Sequence, residues 1–314
     1  MPHVTFIHGI LNKPAADKLY ESWTRSLANS DGLDLGAEGV TSSMVYWADV
    51  LYESPMADEP GYENAELSES PDLAIKRAEA EPEVKVSDAK SAKEAAFIVG
   101  LSAKLNFAAA VDEVIAPVVA ESGPQFERIP LPGWLKRNIM KTYLRDVHHY
   151  LFNVNFSPRA GTNYEVQTEI RQRFVAKLKE GASKPGPHIV VSHSMGTVIA
   201  YDCLKRVADC PQVDGLITLG SPLGVDEIQD GLQPGWSRED GFPHEHVTGR
   251  WVNIYDQLDP VCGLDPRFAN DFRHNSASVV TDIKVTNEGK WKHDVTKYLS
   301  RTELRTALSG MLGL

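Results

Sequence analysis

The chain has 314 residues, 42% of them hydrophobic and 24% charged, the balance of a globular protein with material for a large core. A formal net charge of −11 argues against electrostatically driven binding to nucleic acid or to an anionic membrane surface. Three cysteines (Cys203, Cys210, Cys262) give neither a disulfide framework nor a paired metal spacing, and the first two read as small buried hydrophobes.

The sequence opens Met-Pro-His-Val-Thr-Phe-Ile-His-Gly, with no charged-then-apolar leader, and no run of about 18 apolar residues follows, so neither a signal peptide nor a membrane span is expected. Cytoplasmic location is the default. Val4–Ile7 reads as a first strand, followed by His8-Gly9-Ile10. A helix is expected over about 14–27, with Leu19, Trp23 and Leu27 at a spacing of four, and a second strand over Ser43–Trp47. Strand, helix and strand within this span suggest a parallel crossover unit.

The pattern then breaks. Residues 53–94 are acidic and rich in Ala, Ser and Pro, and read as an irregular surface excursion. Ala95–Leu101 and Phe107–Ile115 look helical and apolar on more than one face, and Ile129–Leu135 reads as a compact apolar loop. This gives an inserted, mainly helical cap over 53–137 within a domain made of 1–52 and 138–314, because so long a segment is hard to explain as a connection. Phe97, Ile98, Leu101, Phe107 and Trp134 are candidate pocket walls, although core packing is the commoner fate of any one of them.

Lys141–Phe152 reads as an amphipathic helix returning to the core, and Tyr164–Leu178 as another. The apolar run from His188 to Val191 meets Ser192-His193-Ser194-Met195-Gly196, and an Ala/Val/Ile-rich helix follows to about Val207. That is a strand turning sharply into a helix with Ser194 at the apex, where its hydroxyl lies near helix N-terminal N–H groups. The usual form of such an elbow is Gly-x-Ser-x-Gly, and Ser192 stands in for the first glycine. Further strands are expected at Val213–Leu219, Arg250–Tyr255 and Ser278–Val285, with a long loop over 221–249. Closing helices are expected at Val295–Leu299 and from Arg301.

A serine hydroxyl needs a base to take its proton, and an imidazole base needs a carboxylate to fix its tautomer. Doubly wound sheets present functional groups at the carboxyl ends of their strands. Asp259 follows the Arg250–Tyr255 strand and His293 follows the last one, giving the order Ser, Asp, His. Asp256 competes for the acid and Asp265 is a distant third. His274 comes too early for the base. His244 and His246 precede the acid and could bind a metal, but two histidines two apart without matching partners read as loop residues. His188 begins the elbow strand, and His193 is expected to point away from the reacting atom. The tetrahedral oxyanion needs two donors, for which the backbone N–H groups of Met195 and Ile10 are placed, with His8 fixing the Gly9 loop.

His8-Gly9-Ile10, Ser192–Gly196, Gly220-Ser221-Pro222-Leu223, Asp259-Pro260-Val261 and His293-Asp294 together resemble the α/β-hydrolase superfamily, and within it lipase- and esterase-type members related to the PGAP1-like group. The resemblance covers residues 1 to about 50 and about 138–314, and leaves the insertion unplaced. It implies an α/β-hydrolase fold with an eight-stranded, mostly parallel doubly wound sheet flanked by helices. It also implies an acyl-serine intermediate, with no cofactor and no metal. The expected activity is that of a serine hydrolase on a small-molecule or lipid ester. A thioesterase or amidase with the same residues, a non-catalytic binding or regulatory protein on this scaffold, and an effector degrading membrane lipid are the competing readings.

Overall fold

The computed structural model describes residues 1–56, 83–118, 133–262, 265–289 and 291–314, and of 107–118 and 133–139 the helical backbone alone. Six strands form one wholly parallel sheet: β1 (His3–Ile7), β2 (Thr41–Val45), β3 (His188–His193), β4 (Val213–Leu219), β5 (Val247–Asp256) and β6 (Val280–Val285). Their spatial order is β6-β5-β4-β3-β1-β2. Every residue of β1 and β3 is buried, as expected of inner parallel strands covered on both faces. The edge strands β2 and β6 are only partly buried.

Helices cover both faces. α1 (Ala16–Ala28) buries Leu19, Trp23 and Leu27, and packs with the two closing helices against Val4, Phe6, Ile189 and Val191. Each such side chain contributes about 1.5–3 kcal/mol on burial, which offsets the missing side-chain N-cap of α1. On the other face lie α2 (Ala92–Val118), α3 (Gly133–Leu151), α4 (Val166–Ala182) and α5 (Met195–Arg206), around Ile7, Val190, Leu216 and Trp251. Asp202, buried on α5, accepts hydrogen bonds from Arg171 on α4 at 2.7 and 3.0 Å and from the Tyr150 hydroxyl on α3 at 2.6 Å. These bonds fix the three helices together behind β3.

The chain turns in opposite directions on either side of β1: β1–α1–β2 runs to one edge, and β3, β4, β5 and β6 run to the other. The crevice between the carboxyl ends of β1 and β3 is therefore the topological switch point, where doubly wound sheets place their sites. Register aligns Ile7 with Ser192, His193 with Leu219, Leu219 with Ile254 and Val285 with Asp256. The loops that follow all the inner strands thus leave the sheet at one level.

Several expectations change. Among the described residues the sheet has six strands rather than eight, because other extended pieces pair only locally: Asn155–Phe156 with Tyr164–Glu165, and Arg273–His274 with Ala277–Ser278. The expected loop over 221–249 contains a helix, α6 (Asp226–Leu232), which buries Ile228, Gln229 and Leu232. Its two turns are too short for a period to stand out. The closing helices are α7 (Val295–Leu299) and α8 (Thr302–Leu312).

α3 runs through position 138, where a domain boundary was expected. Phe97, Ile98, Leu101 and Leu105 of α2 belong to the main core cluster. Phe97 meets the Phe152 ring edge-on at 5.3 Å. These α2 side chains pack into the core, the commoner fate. Residues 57–82, the 129–132 part of the apolar loop, and the side chains of Phe107 and Trp134 lie outside the described residues. No helix among the described residues is long and apolar enough to cross a membrane.

Candidate active site

Ser194 sits between β3 and α5 with φ 54° and ψ −130°, a left-handed turn that few non-glycine residues adopt. The turn is held from three sides. The Ser194 N–H donates to the Leu219 carbonyl at 3.0 Å. Its carbonyl accepts from the Thr197 N–H and from the Thr197 hydroxyl, at 2.9 and 2.6 Å. Ser192, where a glycine was expected, spends its hydroxyl on the Ile217 carbonyl of β4 at 3.0 Å and so leaves no polar atom unpaired. A Cβ at Gly196 would fall 2.5 Å from the His8 carbonyl oxygen, and one at Gly9 would fall 2.4 Å from Ser194 Cβ. The elbow and the loop after β1 are therefore in direct backbone contact.

The loop after β1 is fixed through His8. Its Nδ1–H donates to the Gly9 carbonyl at 2.9 Å, and Nε2 accepts from the Trp47 N–H at 3.0 Å, which sets the tautomer. The ring stacks on Trp47 at 4.7 Å. Beyond it, the Leu11 N–H donates to Asp146 of α3 at 3.1 Å, so a helix of the opposite layer holds the same loop. The Ile10 N–H has no hydrogen-bond partner among the described residues, and the Met195 N–H lies in the first turn of α5, where helix geometry leaves N–H groups unsatisfied.

Asp259 and His293 come together: His293 Nδ1–H donates to Asp259 Oδ2 at 2.8 Å, and both side chains are buried. The Tyr298 hydroxyl donates to the same oxygen at 2.8 Å. The other oxygen accepts from the Val261 N–H at 2.8 Å and the Cys262 N–H at 3.4 Å. Burial alone would push the Asp259 carboxyl up, but the His293 charge and these hydrogen bonds together hold it below the usual carboxylate range. Gly220, at φ 52°, lies under the pair, and a Cβ there would sit 2.8 Å from Asp259 Oδ2. Asp256 is placed differently. Its two oxygens accept backbone N–H groups of Leu258 and Asn287, at 2.8 and 2.6 Å, so it fastens turns and does not meet His293.

Ser194, His293, His193, Ile10, Leu11, Lys13 and Trp291 enclose a cavity of about 10 Å³, room for one water-sized centre. Ser194 Oγ, His293 Nε2 and His193 Nδ1, all on residues that line it, are each buried without a hydrogen-bond partner. An unpaired hydroxyl and an unpaired imidazole nitrogen on residues lining one small cavity are what a nucleophile and a base awaiting a reactant would present. A larger open groove of about 530 Å³, between α4 and the end of α5, is lined by Arg171, Lys179 and Arg206 and brings together no nucleophile and base.

His193 was expected to point away and does not. Its ring lies 4.6 Å from that of His293, and its Nε2–H donates to the His293 carbonyl at 2.9 Å. Trp291 meets His293 edge-on at 5.9 Å from the other direction. Tyr298, Trp291 and Asp146 are supporting residues that sequence reasoning passed over, whereas Gly220 lies in a motif, Gly-Ser-Pro, that the sequence showed. Cys203, Cys210 and Cys262 are all free and buried.

Burial pushes His8 and His193 well down, His188 to about 4 and His149 to about 3. Below about pH 6.5 the unfolded chain protonates these histidines while the folded chain keeps them neutral, so ν_U exceeds ν_N and stability falls as pH drops. Each contributes a slope of up to about 1.4 kcal/mol per pH unit in that window. The urea midpoint should therefore fall markedly between pH 7 and pH 5. An unchanged midpoint would mean these groups titrate normally.

No protein-family model matches the chain, and no curated protein matches it. Among solved structures it is similar to an uncharacterized protein from Pseudomonas aeruginosa, at 11% identity and a TM-score of 0.32. That likeness covers 99% of this chain and 46% of the other, so the chain spans less than half the length of that neighbour. Function rests on the site itself.

Proposed function

We propose that the chain is a serine hydrolase of the α/β-hydrolase type, cleaving a carboxylic ester through an acyl-serine intermediate. The observation that carries this reading is that Ser194 and His293 line one cavity with Oγ and Nε2 both unpartnered, and that His293 Nδ1 is bound to Asp259. His293 Nε2 takes the Ser194 proton as Oγ attacks the substrate carbonyl. Asp259 keeps the second ring proton on Nδ1 and stabilises the imidazolium. The N–H groups of Ile10 and Met195 hold the tetrahedral oxyanion. The C–O bond to the alcohol then breaks, the alcohol leaves with the proton from His293, and water, deprotonated by His293, releases the acid.

Apolar Ile10, Leu11 and Trp291 around Ser194 support a substrate with an apolar portion next to the reacting carbonyl. Thioester or amide cleavage would use the same groups, and only the leaving group differs. The test is labelling of the native chain with a fluorophosphonate probe, with the modified peptide mapped by mass spectrometry. One label per chain, on Ser194, is expected. Absence of labelling under native conditions would remove the hydrolase reading. A series of aryl esters of increasing acyl length then tests the substrate, and a preference for acetyl over longer chains would count against the apolar portion.

A further inference from the structure

Away from the Ser194 cavity, the loop after α6 and the short ribbon before β6 bring together Asp240, His244 and His274. Asp240 Oδ1 lies 3.4 Å from His274 Nδ1 and 3.8 Å from His244 Nδ1, and the three candidate ligand atoms all lie within 4.8 Å of one another. The imidazole rings approach to 4.4 Å. We propose that these three side chains form a binding site for a first-row divalent cation of the zinc class.

An N–H···O hydrogen bond spans about 2.7–3.2 Å, so both gaps are too long for one. A tetrahedral zinc ion with ligands at about 2.0–2.2 Å separates neighbouring ligand atoms by roughly 3.3–3.6 Å. The 3.4 Å gap matches that edge, and the 3.8 Å gap needs only a small closure. The donor set of two imidazoles and a carboxylate suits zinc, cobalt or nickel, and not calcium or magnesium, which prefer oxygen ligands.

His274 Nδ1 is buried and has no hydrogen-bond partner, an arrangement that costs free energy unless something occupies the position. Its other ring nitrogen lies 3.2 Å from the Asn275 side-chain amide. It is the amide nitrogen that faces Nε2. Cation binding at Nδ1 would put the ring proton on Nε2, and a half-turn of the Asn275 amide would then let its oxygen accept that proton, as outer partners of metal-bound histidines do.

The scaffold is already in place. The Phe242 N–H donates to the Arg273 carbonyl at 3.0 Å and the Ser276 N–H to the Glu239 carbonyl at 3.2 Å, which joins loop to ribbon. The Lys205 ammonium binds the Asp240 and Phe242 carbonyls, at 2.9 and 3.2 Å, and lies 3.8 Å from Asp240 Oδ2. It thus faces the opposite carboxylate oxygen, and Oδ1 is left toward the imidazoles. Asp240 and His244 are exposed, so a cation can enter and water can complete its shell. His246, two residues from His244, takes no part, because it is buried with Nδ1–H on the Leu204 carbonyl at 2.8 Å. A bound cation would fasten the 237–246 loop to the ribbon. That loop also accepts the Tyr201 hydroxyl of α5, on Gly241 at 2.7 Å, so the brace reaches the helix that begins at the elbow.

The test uses the full chain without an affinity tag, stripped with EDTA and dialysed. Zn²⁺ is titrated calorimetrically, and Co²⁺ is followed by visible absorption. One equivalent of Zn²⁺ is expected, with a Co²⁺ d–d band and a rise in the thermal midpoint on Zn²⁺ addition. His244→Ala/His274→Ala should lose all three signals, and the near-isosteric Asp240→Asn should weaken Zn²⁺ at least about tenfold. No stoichiometric Zn²⁺ binding by the wild-type chain, or binding retained by the double variant, overturns the proposal. Should the double variant not fold, an unchanged affinity in Asp240→Asn overturns it equally.

Discussion

Ser194→Ala should lower ester turnover by about 10⁴–10⁶-fold and abolish fluorophosphonate labelling, while leaving the fold intact. The size follows from the chemistry: without Oγ no acyl-enzyme forms, and only binding and the two oxyanion donors remain to assist water. Ser194 Oγ is buried without a partner, and a buried unsatisfied hydroxyl costs about 1–3 kcal/mol. Removing it relieves that cost, whereas the hydrogen bonds that hold the turn come from the backbone of Ser194 and from Thr197, and they persist. The alanine variant should therefore melt no lower than the wild type. Inactivation with a matching loss of melting temperature would mean that Ser194 is a structural turn residue, and the hydrolase reading would fail with it.

The parts of this architecture that were legible in the sequence are those whose chemistry is local. The Val4–Ile7 and His188–Val191 runs announce inner strands because both faces are covered, and the elbow is legible because only small residues fit where β3, α5 and the loop after β1 meet. The pairing of Asp259 with His293 could be anticipated from strand-end positions, since register levels the ends of β3, β4 and β5. What was hidden depends on contacts between distant segments. Tyr298 supports Asp259 from the closing helix, and Asp146 supports the Leu11 N–H from across a core. His193 turns toward His293 because the His293 carbonyl needs a donor there, which no local pattern reports. Asp240, His244 and His274 likewise meet only through the pairing of a loop with a later ribbon, which no local spacing reports. Among the described residues the sheet has six strands where the resemblance implies eight, since the other extended pieces pair only locally.

Asp259→Asn should reduce turnover by about 10⁴-fold, and Asp256→Asn by less than about tenfold. The two residues stand three positions apart, and their hydrogen bonds separate them. Asp259 Oδ1 accepts two backbone N–H groups, which can only donate, so the asparagine must keep its oxygen there. Its amide nitrogen then occupies the position of Oδ2, facing His293 and Tyr298. The Tyr298 hydroxyl, which already accepts from the Asp256 N–H at 3.1 Å, can rotate and accept with its remaining lone pair. His293 has no such freedom: to avoid two opposed N–H groups it must present a lone pair at Nδ1, which moves its proton to Nε2. That tautomer points N–H at the Ser194 cavity and cannot take the serine proton. Asp256 also accepts backbone donors, one on each oxygen, so its asparagine variant leaves one N–H opposed and should lose about 1–3 kcal/mol of stability. Turnover and denaturation measured on both variants distinguish the two roles, and a thousandfold loss confined to the Asp256 variant would reverse the assignment. Tyr298→Phe adds a graded check, because removing one of two donors to Oδ2 leaves the tautomer intact and should cost far less than the asparagine. If it costs as much, the hydroxyl itself does what is here assigned to the carboxylate.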